Sequence, residues 1–167
     1  MSLPSQRIYR IPQQGGPETS GPKLLPMTAS ARWSGDGFRF ELADAQGHAA
    51  VADDCPPLGK GTGMSPSDLL LSALCACTGI TALSLLQKMK QPLQSLVVRA
   101  DGDRQTDWPK AFTEIRLTYE IAGIGPFDEA LVKKATDLAT KRYCAVGGTI
   151  ELGKGGCRIV HGHRILS

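Results

Sequence analysis

Aromatic residues are scarce, at 5% of the 167 residues, and the 19 Lys and Arg are scattered among 16 acidic residues without forming a basic run. A stacking platform for bases and a cationic track for phosphates are both missing, so a nucleic-acid partner is excluded as the expectation. Cysteines are few and odd in number: Cys55, Cys75, Cys77, Cys144 and Cys157. Five unevenly spaced thiols do not make the framework of a disulfide-stapled secreted fold. The first residues, MSLPSQRIYRIPQQGG, contain no apolar core of a signal peptide, so reduced thiols and a cytoplasmic location are expected. Repeats of solenoid length are also missing.

Charge is absent from Leu69 to Gln87, nineteen residues long, which approaches the length of a membrane span. Ser72, Thr78, Gly79, Thr81 and Ser84 interrupt the run. We therefore read it as the buried centre of a soluble domain or oligomer, with a membrane-anchored protein as the minor alternative. Ser65-Pro66-Ser67-Asp68 marks its start, with Ser65 as N-cap, Pro66 at the first helical position and Asp68 closing a capping box. The helix should run to near Lys90, before Pro92, over about 25 residues or roughly 37 Å. One small chain cannot cover an apolar helix of that length, so dimerisation is expected.

Around this helix the remaining elements fall in order. Five of the eleven prolines lie in residues 1–26, which read as an extended or disordered arm preceding one domain over residues 27–167. TASARW, FRFELAD and HAAVAD alternate as a three-stranded antiparallel meander, and Cys55 to Gly63 is a Pro- and Gly-rich loop. Leu93–Arg104 and Phe112–Ile121 read as long strands. A second helix from Pro126 to about Tyr143 has Leu131, Val132, Ala135, Leu138 and Ala139 inward, with Lys133, Lys134 and Lys141 in water. After Gly147-Gly148, TIEL and CRIVHGHRIL read as closing strands. The order βββ-α-ββ-α-ββ defines an α+β fold of antiparallel sheets around a long central helix.

Candidate chemistry is narrow. Gly59-Lys60-Gly61-Thr62-Gly63 lacks phosphate-loop spacing and reads as a turn. His48, His161 and His163 read as solvated strand residues; His161 and His163 with Cys157 form only a weak metal candidate, so no metal or cofactor is expected. Cys75 and Cys77 lie about 200° apart on the helix and cannot bridge each other. Taken alone, Cys77 fits an inert core thiol better than a reactive one. The cations Lys141 and Arg142 are expected to favour a thiolate at Cys144.

Two segments together resemble a known family. Pro66-Ser-Asp-Leu-Leu-Leu-Ser-Ala-Leu-Cys-Ala-Cys77-Thr-Gly and, 67 residues after Cys77, Arg142-Tyr-Cys144-Ala-Val are similar to the two cysteine motifs of the OsmC/Ohr organic hydroperoxide reductases, nearest a less characterised OsmC-like branch. Val97–Gly102 and Phe112–Gly123 resemble the paired strands between them, and the likeness spans about Thr28 to Leu166. It implies an intertwined homodimer with interface active sites, in which Cys77 is the peroxidatic cysteine and Cys144 the resolving one. It also implies reduction by an external dithiol, thioredoxin or a lipoyl protein, without metal or flavin. An apolar wall including Leu70 and Leu74 would favour alkyl hydroperoxides by about 0.8 kcal/mol per buried CH₂. The family's glutamate and arginine positions fall on Ser67 and near Asp36, leaving Asp68 and Arg39, or Arg32, as substitutes that ordinary structural roles explain equally well. The competing reading is a non-catalytic module of the same fold that binds a small apolar ligand or senses redox state.

Overall fold

The computed structural model describes residues 26–153 and 157–166. The arm assigned to residues 1–26 therefore lies, all but its last residue, outside the described part. Three short strands open the fold: β1 (Ala29–Trp33), β2 (Phe40–Asp44) and β3 (Ala49–Ala52), paired antiparallel as a meander. The second sheet contains β4 (Leu93–Arg104), β5 (Phe112–Gly123) and β6 (Arg158–Leu166), with β5 in the middle. Between the sheets in sequence comes α1 (Pro66–Lys88), and between β5 and β6 come α2 (Glu129–Leu138), a π-helical turn (Ala139–Tyr143) and α3 (Ala145–Glu151).

Two expectations are corrected. TIEL is not a strand, because Thr149–Glu151 belong to α3, a short helix capped by the Cys144 sulfur. That side-chain cap supplies an acceptor for Gly147 N–H and lets a helix form across the two glycines. The closing sheet is also not wholly antiparallel, since β6 runs parallel to β5. A parallel neighbour needs a crossover, and α2 to α3 supply it.

The core follows from alternation on β5. Ile115, Leu117, Tyr119 and Ile121 point inward and are buried against Leu74, Ala82 and Leu86 of α1, Val132 and Ala135 of α2, and Ile159 of β6. On the outer face the intervening residues carry charge: Glu114 meets Arg116 and Arg158, and Glu120 meets Arg99 and Arg164. Gly123 allows the sheet to end against the chain leaving α1, because a Cβ there would lie 1.6 Å from the Pro92 carbonyl oxygen.

The long helix is not buried all round within one chain. It buries a single stripe, Leu74, Thr78, Ala82 and Leu86, at four-residue spacing. The opposite stripe, Ala73, Ala76, Ile80 and Leu83, is exposed, with Ile80 71% accessible. By length and composition α1 could also cross a bilayer. The meander likewise stands away from the core: every residue of β1 is exposed, Trp33 at 58%, with Phe38 and Phe40 nearby.

Candidate functional site

Cys77 lies halfway along α1, where the capped, proline-started helix fixes its direction. Cys144 lies at the junction of the π-helical turn and α3 and is 5% exposed. Its sulfur accepts Gly147 N–H at 3.1 Å and lies near enough to the Cys77 thiol to be perturbed by it. Burial, reinforced by the neighbouring Cys77 thiol, pushes the Cys144 thiol up to about 11, against the opposing pull of the Gly147 N–H. Cys144 thus holds its proton at neutral pH. The expected thiolate-favouring action of Lys141 and Arg142 is absent, because both side chains are exposed and directed elsewhere: Lys141 toward Asp137, Arg142 over the Tyr143 ring.

The other cysteines are separate. Cys75 looks the opposite way from Cys77, into a groove of about 670 Å³ between α1 and β4 that Asp68, Ser72 and Asp101 also line. Burial, and then the Asp101 charge, raise its thiol. Cys55 is exposed, and Cys157 is half-buried with its thiol raised mainly by burial.

The two residues considered as substitutes for the family's glutamate and arginine are engaged elsewhere. Asp68 accepts Ser65 Oγ at 2.6 Å, its own N–H donates to Ser65 Oγ, and it faces the Cys75 groove. Arg39 donates to Thr62 Oγ1 at 3.0 Å, and Arg32 pairs with Glu41. Asp36 binds Lys60, while Ser67 and Leu70 line a different pocket beside Arg104, Phe112 and Cys157. Within one chain, then, Cys77 and Cys144 lie near each other, whereas Asp68 and Arg39 bond other partners. Leu74 is fully buried and cannot form a substrate wall, whereas Leu70 remains accessible.

The histidines divide. His48 is exposed beside Asp44, as expected, but His161 is not solvated: its side chain is 9% exposed, Nε2 lies 2.8 Å from Asp137 Oδ1, and its ring meets Tyr119 edge-on. Among the described residues no three His, Cys, Asp or Glu side chains converge as metal ligands.

Two features were missed at the sequence level. Asp53, buried at the end of the meander, accepts Thr62 N–H and Oγ1 and so holds the 55–63 loop, and these hydrogen bonds lower its pKa. Tyr119, the one inward polar residue of β5, bonds Thr140 at 2.8 Å beneath the thiols. A tyrosine in an inward register demands a buried partner for its hydroxyl, and FTEIRLTYEI carries that signal.

The molecule is thus an α+β protein with two reduced thiols on adjoining helical elements. Residues 59–154, more than half of the chain, match the family described as OsmC-like protein, and the chain belongs to that family. It is 28% identical over 145 residues to the Escherichia coli protein YhfA, covering 84% of this chain and 99% of YhfA. The crystal structure of an OsmC-like protein from Mycoplasma pneumoniae shares the fold at a TM-score of 0.68, with 23% identity and coverage of 87% and 99%. That of an organic hydroperoxide resistance protein OsmC from Legionella pneumophila does so at 0.57, with 17% identity and coverage of 84% and 98%.

Proposed function

We propose that this protein is a thiol-dependent peroxidase that reduces organic hydroperoxides through Cys77 and Cys144. The observation that supports the reading is the proximity of the two thiols, one half-buried and one buried. The Cys77 thiolate attacks the terminal peroxide oxygen, the O–O bond breaks, and the alkoxide leaves as the alcohol after taking up a proton. Cys77 is then a sulfenic acid. The Cys144 sulfur attacks it, and the displaced hydroxide takes the Cys144 proton and departs as water, leaving a disulfide. An external dithiol, of the thioredoxin or lipoyl type, gives two electrons and two protons to this disulfide, restoring both thiols and leaving as its own disulfide.

The working unit in this reading is a homodimer in the cytoplasm. Its exposed α1 stripe and its meander are apolar surfaces that a second copy would cover. The same assembly offers Arg39, which is remote from the thiols of its own chain, a route to those of the other. Leu70 supplies accessible apolar surface for an alkyl group.

The test is consumption of tert-butyl hydroperoxide with a dithiol reductant, beside hydrogen peroxide and Cys77→Ser. Turnover that requires Cys77 and favours the alkyl peroxide is expected. The second reading, a ligand-binding or redox-sensing module, draws on Ser67 and on Asp36 paired with Lys60 at the family's Glu and Arg positions. Consumption no faster than the Cys77→Ser background would assign that reading instead.

A further inference from the structure

Beneath the thiol pair lies a chain of three buried hydroxyls. Tyr119 and Thr78 are inaccessible and Thr140 nearly so. Tyr119 Oη lies 2.8 Å from Thr140 Oγ1 and close to the Thr78 hydroxyl. Thr78 donates to the Leu74 carbonyl at 2.9 Å, and in the Tyr119–Thr140 pair either hydroxyl can be the donor.

The three residues come from three elements. Thr78 follows Cys77 directly on α1, Thr140 sits in the π-helical turn four residues before Cys144, and Tyr119 is on the central strand β5. The cluster therefore packs the turn that carries one thiol against the helix that carries the other, with the Tyr119–Thr140 bond tying that turn to β5. A π-helical turn is one residue wider than the α-helix around it and is retained only where its surroundings hold it. If this turn relaxed by one residue, the segment C-terminal to it would rotate by about 100°, enough to swing the Cys144 sulfur off Cys77.

We propose that Tyr119, Thr140 and Thr78 are positioning residues that hold the Cys77 and Cys144 sulfurs in register for disulfide formation. The inference rests on the reading of these cysteines as a redox pair, and it can be tested without peroxide. The full-length protein is equilibrated with mixtures of reduced and oxidised dithiothreitol. Two protein thiols give two electrons and two protons to the oxidised reagent, which becomes the dithiol, and the Cys77–Cys144 linked peptide is quantified after alkylation.

Tyr119→Phe and Thr140→Val should each lower the equilibrium constant for this disulfide about tenfold or more, whereas Thr140→Ser, which keeps the hydroxyl, should stay within about twofold of wild type. If Tyr119→Phe does not fold, the Thr140→Val and Thr140→Ser pair decides. A Thr140→Val constant equal to wild type overturns the proposal, as does a wild-type protein in which Cys77 and Cys144 do not link. A pair that links and responds to the substitutions in a protein that consumes no tert-butyl hydroperoxide would keep these positioning residues and remove the peroxidase reading.

Discussion

At the scale of single residues, the two helical cysteines that sequence places two apart have opposite surroundings. Cys77 meets a buried thiol, whereas Cys75 meets the Asp101 charge. Serine at Cys77 should reduce peroxide turnover to background, and serine at Cys75 should leave it at the wild-type rate. The reverse result would mean that the working thiol is on the β4 side of α1. Cys144 also makes a prediction about stability. Its folded pKa is raised from the ordinary 9.0 to about 11, so the folded state favours the protonated thiol. That contribution is complete below about pH 9, then is lost toward about pH 11 as the unfolded chain ionises first. Urea midpoints of wild type should fall more steeply over this window than those of Cys144→Ala. Parallel pH profiles for the two proteins would show that Cys144 ionises as freely folded as unfolded.

At the scale of elements, most of the fold was legible where local chemistry was decisive. Ser65, Pro66 and Asp68 set the start of α1, and the observed capping contacts are those the sequence suggests. Alternation and flanking turns gave the meander, and β4 has the expected bounds. What failed depended on distant partners. Gly147 and Gly148 looked like a helix break, but the Cys144 sulfur caps the segment by accepting Gly147 N–H. The direction of β6 was not legible, because alternation along CRIVHGHRIL is the same read from either end. The partners of β6 are nonlocal: Arg158 on Glu114, Arg164 on Glu120, and His161 on Asp137. Of the candidate site, the two cysteines were legible as residues, and the structure places them near each other. The capping role of Asp68 was legible too, whereas the bond of Arg39 to Thr62 and the buried partner of Tyr119 needed the third dimension. The β6 partners also yield a prediction. Arginine neighbours lower the pKa of Glu114 and Glu120, and Lys133, then His161, lower that of Asp137. Carboxylates depressed in the folded state stabilise it above their unfolded values of 4.5 and 3.8, and that contribution is lost as pH falls through the folded pKa. Amide exchange, corrected for intrinsic rate, should show β6 losing protection relative to β4 between about pH 6 and pH 3. Equal protection of the two strands across that range would mean that backbone pairing alone holds β6.

At the scale of the whole molecule, the described residues of one chain leave three surfaces uncovered. The Ala73, Ala76, Ile80 and Leu83 stripe of α1 is uncharged and open, with two alanines small enough for close approach of another helix. The meander has no apolar floor beneath β1, and β4 offers twelve residues of sheet edge without a neighbouring strand among those described. A long bare edge beside a bare apolar helix is an aggregation hazard unless a specific partner covers it. A second copy is the economical cover, since it presents complementary surfaces of the same kinds and meets them twice by symmetry. Light scattering on the eluting protein should therefore give twice the 17.8 kDa chain mass at about 10 μM without detergent. Ile80→Glu places a charge in the middle of the exposed stripe, and should yield the single-chain mass while the far-ultraviolet circular dichroism keeps its helical signal. The substituted residue touches none of the core stripe, so loss of assembly would be separable from loss of fold. Wild-type protein eluting at the single-chain mass would sink the dimer, and with it the route by which Arg39 reaches a thiol site.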